Sequence, residues 1–421
     1  MENTELEKLI TDIAVRGRKA SLSLQNQSSQ NIDKALLKMA EHLQSKKAAL
    51  QEENKKDLEA GKRKGLSAAM LDRLTLSDKT LASMIEGLKE VAALKSPVGT
   101  FYEERVRPNG LNISKMRVPI GVIGIIYESR PNVTVDAAAI CLKSRNAVIL
   151  RGGSEAFHSN SALCVLFSKS LEESSLPADA LQFIPTTDRT AVEMLLSKDE
   201  QIDLIIPRGG ESLIRMVAEK SRIPVIKHYN GICHVFVSAN ADMQKAIPIA
   251  VNSKVQRPGV CNAMETLILD SGLDLQKRKS IIDALIDKGV TLYGDKESCI
   301  LSEKIIEADE KSWNEEYLDL RLNIKTANGI AEAIEHINTY GSRHTDSIVT
   351  ESQHEKEKFM TEVDTASVMI NTSTRFSDGG EYGMGCEIGI STDKLHSRGP
   401  MGVDDLTTYK WVVRGDGQIR E

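Results

Sequence analysis

One cysteine in this chain stands where a nucleophile would be presented. In Gln256-Arg-Pro-Gly-Val-Cys-Asn262, Cys261 follows a Pro-Gly turn and precedes an apolar run that reads as a strand. A thiol at a loop end can meet a substrate carbonyl, and Arg257, four residues upstream, would favour the thiolate if it points inward. The plainer alternative, an unreactive loop cysteine, stays open, because position alone does not make a thiolate. By contrast, Cys141 in Ala137-Ala-Ala-Ile-Cys-Leu142 and Cys164 in Ala162-Leu-Cys-Val-Leu166 lie in apolar helical settings, where cysteine acts as a small core residue.

Bases are available near such a thiol, but the sequence gives them no geometry. His228 and His234 flank Asn230-Gly231, while His336 and His344 bracket Tyr340-Gly341. A Cys–His pair is conceivable, and so is a merely hydrogen-bonded role for each ring. The six cysteines are far apart, with no C-x-x-C pair and no histidine at zinc-finger spacing. No structural metal is expected, and the thiols should be free in a reducing compartment.

A second kind of chemistry is suggested by two near-copies of one turn. Ala147-Val-Ile-Leu-Arg-Gly-Gly-Ser-Glu155 and Leu204-Ile-Ile-Pro-Arg-Gly-Gly-Glu-Ser212 each run from a strand pattern into a helix pattern. Glycines let backbone N–H groups approach a phosphate, and a helix start adds partial positive charge. Gly152-Gly153 with Ser154, and Gly209-Gly210, are therefore phosphate-loop candidates, though Gly-Gly also serves as an ordinary tight turn. A G-x-G-x-x-G fingerprint is absent: Gly121-Val-Ile-Gly124 lies inside a strand pattern at the wrong spacing.

These residues need a scaffold, and the chain is long enough to build two or three domains at 421 residues. The first hundred residues read as helical, with Ile32, Leu36, Met39, Leu43 and Leu50 near helical spacing. From Val118 onward short apolar runs alternate with helical stretches: 121–126, 147–150, 181–184, 204–206 and 225–226. That alternation predicts a parallel sheet covered by helices. A second alternation begins near Val235, with strands at 234–237, 266–269, 347–349 and 367–370 and helices at 242–254, 275–288 and 329–338. The expected class is α/β, with two parallel-sheet domains changing over near Lys227 to Gly231.

Partners are bounded by charge and hydropathy. The formal net charge is −6 and the basic residues are scattered, which disfavours nucleic acid. The first thirty residues hold no apolar core of the signal-peptide kind, and no run reaches the roughly 18–20 apolar residues of a membrane span. The expectation is a cytoplasmic protein with no membrane partner.

Longer motifs then carry a resemblance. Glu128-Ser-Arg-Pro-Asn-Val-Thr134, Pro224-Val-Ile-Lys-His-Tyr-Asn-Gly-Ile-Cys-His234, the Cys261 segment, and Ala333-Ile-Glu-His-Ile-Asn-Thr-Tyr-Gly-Ser-Arg-His-Thr-Asp-Ser-Ile348 stand in one collinear order. Asn371-Thr-Ser-Thr-Arg-Phe-Ser-Asp-Gly-Gly380 and Arg398-Gly-Pro-Met-Gly402 continue it, so that residues 16 to 413 are covered. The chain resembles the gamma-glutamyl phosphate reductases, within the aldehyde dehydrogenase superfamily.

The resemblance implies an aldehyde dehydrogenase-like fold: a cofactor domain over residues 1–226, a catalytic domain over 227–372, and a return segment with a C-terminal strand over 373–421. Residues 100–118 and the C-terminal strand would form a small β extension that joins subunits into a homo-oligomer. It implies reduction of L-glutamyl 5-phosphate by NADPH through a Cys261 thioacyl enzyme, with Asn132 and the Cys261 N–H as oxyanion donors. Asn132 also reads as a turn residue after Pro131. For NADP(H), Arg151 takes the position of a ribose-contacting lysine, although Glu155 nearby counts against it, and Glu316 matches a glutamate on the nicotinamide ribose or, more simply, a solvated helix-end charge. Arg208 belongs to the same cofactor set, and Arg130, Arg257, Asn371 and Arg375 are the substrate candidates. General aldehyde dehydrogenases carry a glutamate base in the segment that corresponds to His228–Asn230, and no carboxylate stands there. That departure suits an enzyme that must not hydrolyse its own thioester. A glutamate 5-kinase, source of the labile acyl phosphate, is the implied partner.

Overall fold

The computed structural model describes residues 3–420, and of Ala69 the backbone alone. Its contacts divide the chain into two units. The first comprises Met1–Lys227, Gly383–Gly389 and Met401–Glu421; the second comprises His228–Tyr382 and Ile390–Pro400. Within residues 373–421, Gly383–Gly389 and Met401–Glu421 cluster with the first unit and the rest with the second.

In the first unit, helices Asn3–Leu24, Ser29–Ser45, Lys47–Arg63 and Asp78–Ala93 precede the sheets. The apolar stripe expected over residues 31–50 is buried, with Ile32, Leu36, Met39, Leu43 and Leu50 each 2% exposed or less. It spans two helices, because the first ends at Lys46, whose N–H bonds back to the His42 carbonyl at 2.8 Å. Four parallel strands stand in the order Leu181–Phe183, Ala147–Arg151, Val122–Tyr127, Leu204–Arg208. The two central strands are buried at every position, as continuous apolar runs covered by helices on both faces must be. The run at Val225 contributes only a single bridge to Ile205.

The second unit carries seven parallel strands in the order Ile306–Glu307, Thr291–Gly294, Arg321–Ala327, Met264–Asp270, Cys233–Val237, Thr345–Val349, Ser367–Ile370. The strand Arg321–Ala327 escapes the sequence pattern because polar side chains interrupt its apolar run. Asn323 is fully buried, accepting from the Tyr317 hydroxyl at 2.8 Å and donating to the Ser312 carbonyl at 2.8 Å. Lys325 bonds Asp295 at 3.2 Å.

A third sheet is antiparallel, in the order Phe101–Val106, Asn112–Pro119, Thr407–Arg414, and belongs to the first unit. It presents Phe101, Tyr409 and Trp411, each about half exposed, with Lys115 Nζ 4.4 Å from the Tyr409 ring centre and 5.1 Å from that of Trp411. An exposed row of aromatic rings capped by cations is unusual for a solvent-facing strand. Among the described residues no helix is long and apolar enough to cross a membrane.

Candidate active site

The cysteine loop is built by the helix Met243–Val255 and the strand Met264–Asp270, which leave only a few residues to cross from one to the other. Cys261 is half-buried at the end of that crossing. Asn262 anchors the loop by donating from Nδ2 to the Ser377 carbonyl at 2.9 Å. Cys233 Sγ donates to the Cys261 carbonyl at 3.2 Å. Gly231 lies directly against the same backbone: a Cβ there would collide with the Cys261 carbonyl and Cα. Burial holds the thiols of Cys141, Cys164, Cys233 and Cys299 above the ordinary thiol range and pushes Cys386 up to about 12.

Two polar ties brace this loop from behind. Lys254, at the end of the helix, meets Glu265 at 2.7 Å, with both side chains fully buried. Burial pushes Glu265 up to about 7 even beside the ammonium, and burial likewise lowers Lys254. Glu265 also accepts from the Leu318 N–H at 3.3 Å, while Glu316 accepts from the Gly231 N–H at 2.9 Å. The Glu316–Leu318 turn is therefore fastened to Gly231 and, through Glu265, to the strand that follows the cysteine loop. The sequence reading gave Glu316 to the nicotinamide ribose and did not find the Lys254–Glu265 pair. A lysine at a helix end reads as solvated, and the only signal was a glutamate opening an otherwise apolar strand.

One basic side chain lies within electrostatic reach of the thiol. Arg375 is half-buried and held by its Nε–H on Gln256 Oε1 at 2.8 Å. Burial, then the neighbouring Arg257 charge, lowers its pKa, while Cys261 is close enough to act in the opposite sense. Arg257 is exposed. Asn371 is not part of this group by any contact of its own: its amide donates to the Thr350 carbonyl at 3.0 Å and accepts from the Thr350 N–H at 2.9 Å. That side chain closes a turn, which its backbone φ of 53° also marks.

The histidines are re-sorted relative to their order in the chain. His228 pairs edge-on with His344, ring centres 5.7 Å apart, and His234 pairs with His336 at 5.6 Å. His234 is fully buried with Nδ1 on Asp346 at 2.9 Å, and burial pushes His336 down to about 3, so this pair is scaffold. The other pair adjoins Cys261: ligand atoms of His228, Cys261 and His344 all lie within 4.8 Å of one another.

The first unit gathers its candidates at the C-terminal ends of adjacent strands, where an open parallel sheet binds ligands. Ser129 donates through its N–H at 2.9 Å and its hydroxyl at 2.5 Å to Glu155, and Glu128 accepts from the Gly210 N–H at 2.9 Å. These contacts tie the end of the Val122 strand to both Gly-Gly turns. Arg151 is only 8% exposed, its guanidinium reaching the carbonyls of Gly152 at 2.9 Å, Thr187 at 3.3 Å and Asp188 at 3.5 Å. Arg208 packs its guanidinium against Gly389, whose φ of 144° and lack of a side chain permit the approach. Arg130 is the residue before the helix Pro131–Lys143, with no side-chain capping bond, and Asn132 in the first turn donates to Asp136 at 3.0 Å. Burial raises Asp136 to about 6.

A fold of two parallel-sheet α/β units with a small antiparallel sheet, and a loop cysteine within electrostatic reach of an arginine, defines a class: the chain belongs to the aldehyde dehydrogenase family, whose pattern matches residues 7–290. More particularly, it is 49% identical to the gamma-glutamyl phosphate reductase of Desulfotalea psychrophila, over 99% of each chain. It is 51% identical to that of Geobacter metallireducens, over 98% of this chain and 99% of the other. The crystal structure of gamma-glutamyl phosphate reductase from Thermotoga maritima superposes with a TM-score of 0.96 at 42% identity, covering 98% of this chain and 100% of that one. An acetylating aldehyde dehydrogenase from Geobacillus thermoglucosidasius shares the fold at a TM-score of 0.71 and 16% identity, over 99% of each chain.

The family and the reductase names imply a nicotinamide cofactor. The strand-end turns fit one. Gly209 and Gly210 are exposed, nothing lies within 4 Å of where a Gly210 Cβ would stand, and the helix Glu211–Lys220 starts there without a side-chain cap. Such a helix start suits a diphosphate, which would take the Gly210 N–H in place of its present Glu128 partner.

Proposed function

We propose that the chain catalyses the NADPH-dependent reduction of L-glutamyl 5-phosphate to L-glutamate 5-semialdehyde and phosphate, the second step from glutamate to proline. The observation that carries this reading is the setting of Cys261: half-buried on a loop, within electrostatic reach of Arg375, with no carboxylate in His228–Asn230 to activate water.

The Cys261 thiolate attacks the acyl carbon, and the C–O bond to phosphate breaks with its electron pair on the leaving group. Arg257 and Arg375 offset the charge of that phosphate. The Cys261 N–H and Asn132 steady the oxyanion, and Arg130 takes the substrate's far end. When bound, the nicotinamide cofactor supplies the hydride that brings the thioester to the aldehyde level. Collapse of the resulting thiohemiacetal breaks the C–S bond, releases the semialdehyde and returns the thiolate.

Gly209 and Gly210, with Arg208, would hold the diphosphate, Gly152 to Ser154 the adenosine side, and Glu316 the nicotinamide ribose. Arg151 would shape the loop that reads the 2′-phosphate, since its guanidinium already reaches three carbonyls of that loop. Exposed Arg189, near enough to depress the Arg151 pKa after burial has done so, is the direct phosphate contact on this reading. The aromatic row of the antiparallel sheet supports its use in joining subunits. A cytoplasmic location and supply of the labile acyl phosphate by glutamate 5-kinase complete the reading.

The test is phosphate-dependent formation of NADPH from glutamate 5-semialdehyde and NADP. We expect turnover that falls by about 10³-fold or more in Cys261→Ser. Turnover that needs no phosphate would assign a different acyl acceptor and reject the substrate.

A further inference from the structure

We infer that Cys261, His228 and His344 form a binding site for a divalent d10 metal ion of the zinc type, and that an ion seated there caps the nucleophile reversibly. The proposed reaction gives the two histidines no part, yet the structure assembles them with the sulfur from three distant points of the chain. The three ligand atoms lie within 4.8 Å of one another. In a tetrahedral zinc site, metal–sulfur and metal–nitrogen bonds of about 2.3 and 2.0–2.1 Å set ligand atoms roughly 3.3–3.8 Å apart. The side chains need to close by about 1 Å, which rotation of half-buried Cys261 and His228 can supply.

The donor set selects the ion. One sulfur and two imidazole nitrogens suit zinc or cadmium and offer nothing to magnesium or calcium, which require oxygen. Three protein ligands leave the fourth position to water, as in an open zinc site.

The surroundings hold the ligands in place. His344 is fully buried, and its Nδ1 lies 2.9 Å from Thr345 Oγ1, the kind of outer contact that fixes the orientation of a metal-binding imidazole. Nε2 is then the proposed ligand atom. The His228 ring stands edge-on to His344 at an interplanar angle of 70°. Gly231 fixes the Cys261 backbone against the segment that carries His228.

Binding is a simple exchange: the Cys261 S–H bond breaks, a sulfur–metal bond forms, and the proton passes to solvent, with no change of oxidation state. The Arg375 charge near the sulfur, with Arg257 beside it, opposes a dication. That repulsion favours a reversible ligand over a permanently held one.

The experiment uses the full chain without substrate or cofactor, so its outcome is independent of the reductase reading. Cadmium is titrated while the ultraviolet thiolate-to-cadmium charge-transfer band is followed, and zinc is tested for protection of Cys261 against iodoacetamide by peptide mass. We expect one ion per chain, loss of the band in Cys261→Ser, and affinity at least about tenfold weaker in His228→Gln. His344→Gln should behave like His228→Gln, and because His228 is only half-buried the test stands even if the His344 variant fails to fold. No band in the unmodified chain, a band that survives Cys261→Ser, or unchanged affinity in His228→Gln would each overturn the proposal.

Discussion

The two regions that carry the proposed chemistry are built by different means. Around Cys261, side chains distant in sequence meet in buried and half-buried ties: Lys254 with Glu265, Glu265 with the Leu318 N–H, Glu316 with the Gly231 N–H, Cys233 with the Cys261 carbonyl. At the strand ends of the first unit the parts proposed to meet the cofactor are mainly backbone and glycine, with Gly209 and Gly210 exposed. The difference teaches where tolerance should lie. A nucleophile must be held to a fraction of an ångström, which packing and buried bonds provide, whereas a diphosphate is held by several N–H groups that share the load.

The largest effect should come from breaking a buried tie on the cysteine side. Lys254→Met leaves Glu265 buried without its cation and should cost about 3–5 kcal/mol in chemical denaturation. Lys254→Met combined with Glu265→Leu should recover most of that stability, and a double variant as unstable as the single one would show that the pair is not the brace. Gly231→Ala comes next. Its Cβ meets the Cys261 backbone, which cannot swing aside, so a loss of about 1–3 kcal/mol with a marked fall in kcat is expected, and a variant with parent-like kcat would contradict the described packing.

On the cofactor side the effects should be gentler and fall on binding. Arg151→Ala frees three loop carbonyls that can turn to water, so about 1 kcal/mol of stability is expected to go, with a raised KM for NADPH and kcat largely kept. A fall in kcat at constant KM would move Arg151 from loop shaping to the chemistry. Gly210→Ala is the smallest: its Cβ enters open space, so thermal unfolding should move by no more than about 0.5 kcal/mol. The KM for NADPH should still rise a few-fold if the backbone there approaches the diphosphate.

The same contrast explains what could be read from the sequence. The parallel strands were legible wherever apolar runs are continuous, as in Val122–Tyr127 and at the start of Ala147–Arg151, because burial on two faces leaves no polar gap. Arg321–Ala327 was not, since a buried asparagine with bonds of its own looks like a loop residue on paper. The cysteine was visible through its Pro-Gly turn and long motif. Its surroundings were not: the His228–His344 pairing and the Lys254–Glu265 tie depend on how distant segments meet. Asn371, chosen from a motif, turns out to hold Thr350, and Arg151, chosen for its charge, holds carbonyls. In each case the residue type was readable, and the partner was not.

One measurement reaches the central claim directly. The enzyme is mixed with glutamate 5-semialdehyde and NADP in phosphate-free buffer, and NADPH and intact protein mass are followed together. A thioacyl mechanism on Cys261 predicts a burst of one NADPH per chain that then stops, with the acyl mass on the peptide containing Cys261, and renewed turnover on adding phosphate. Continuous NADPH formation with no acylated cysteine, or acylation of another residue, would contradict it.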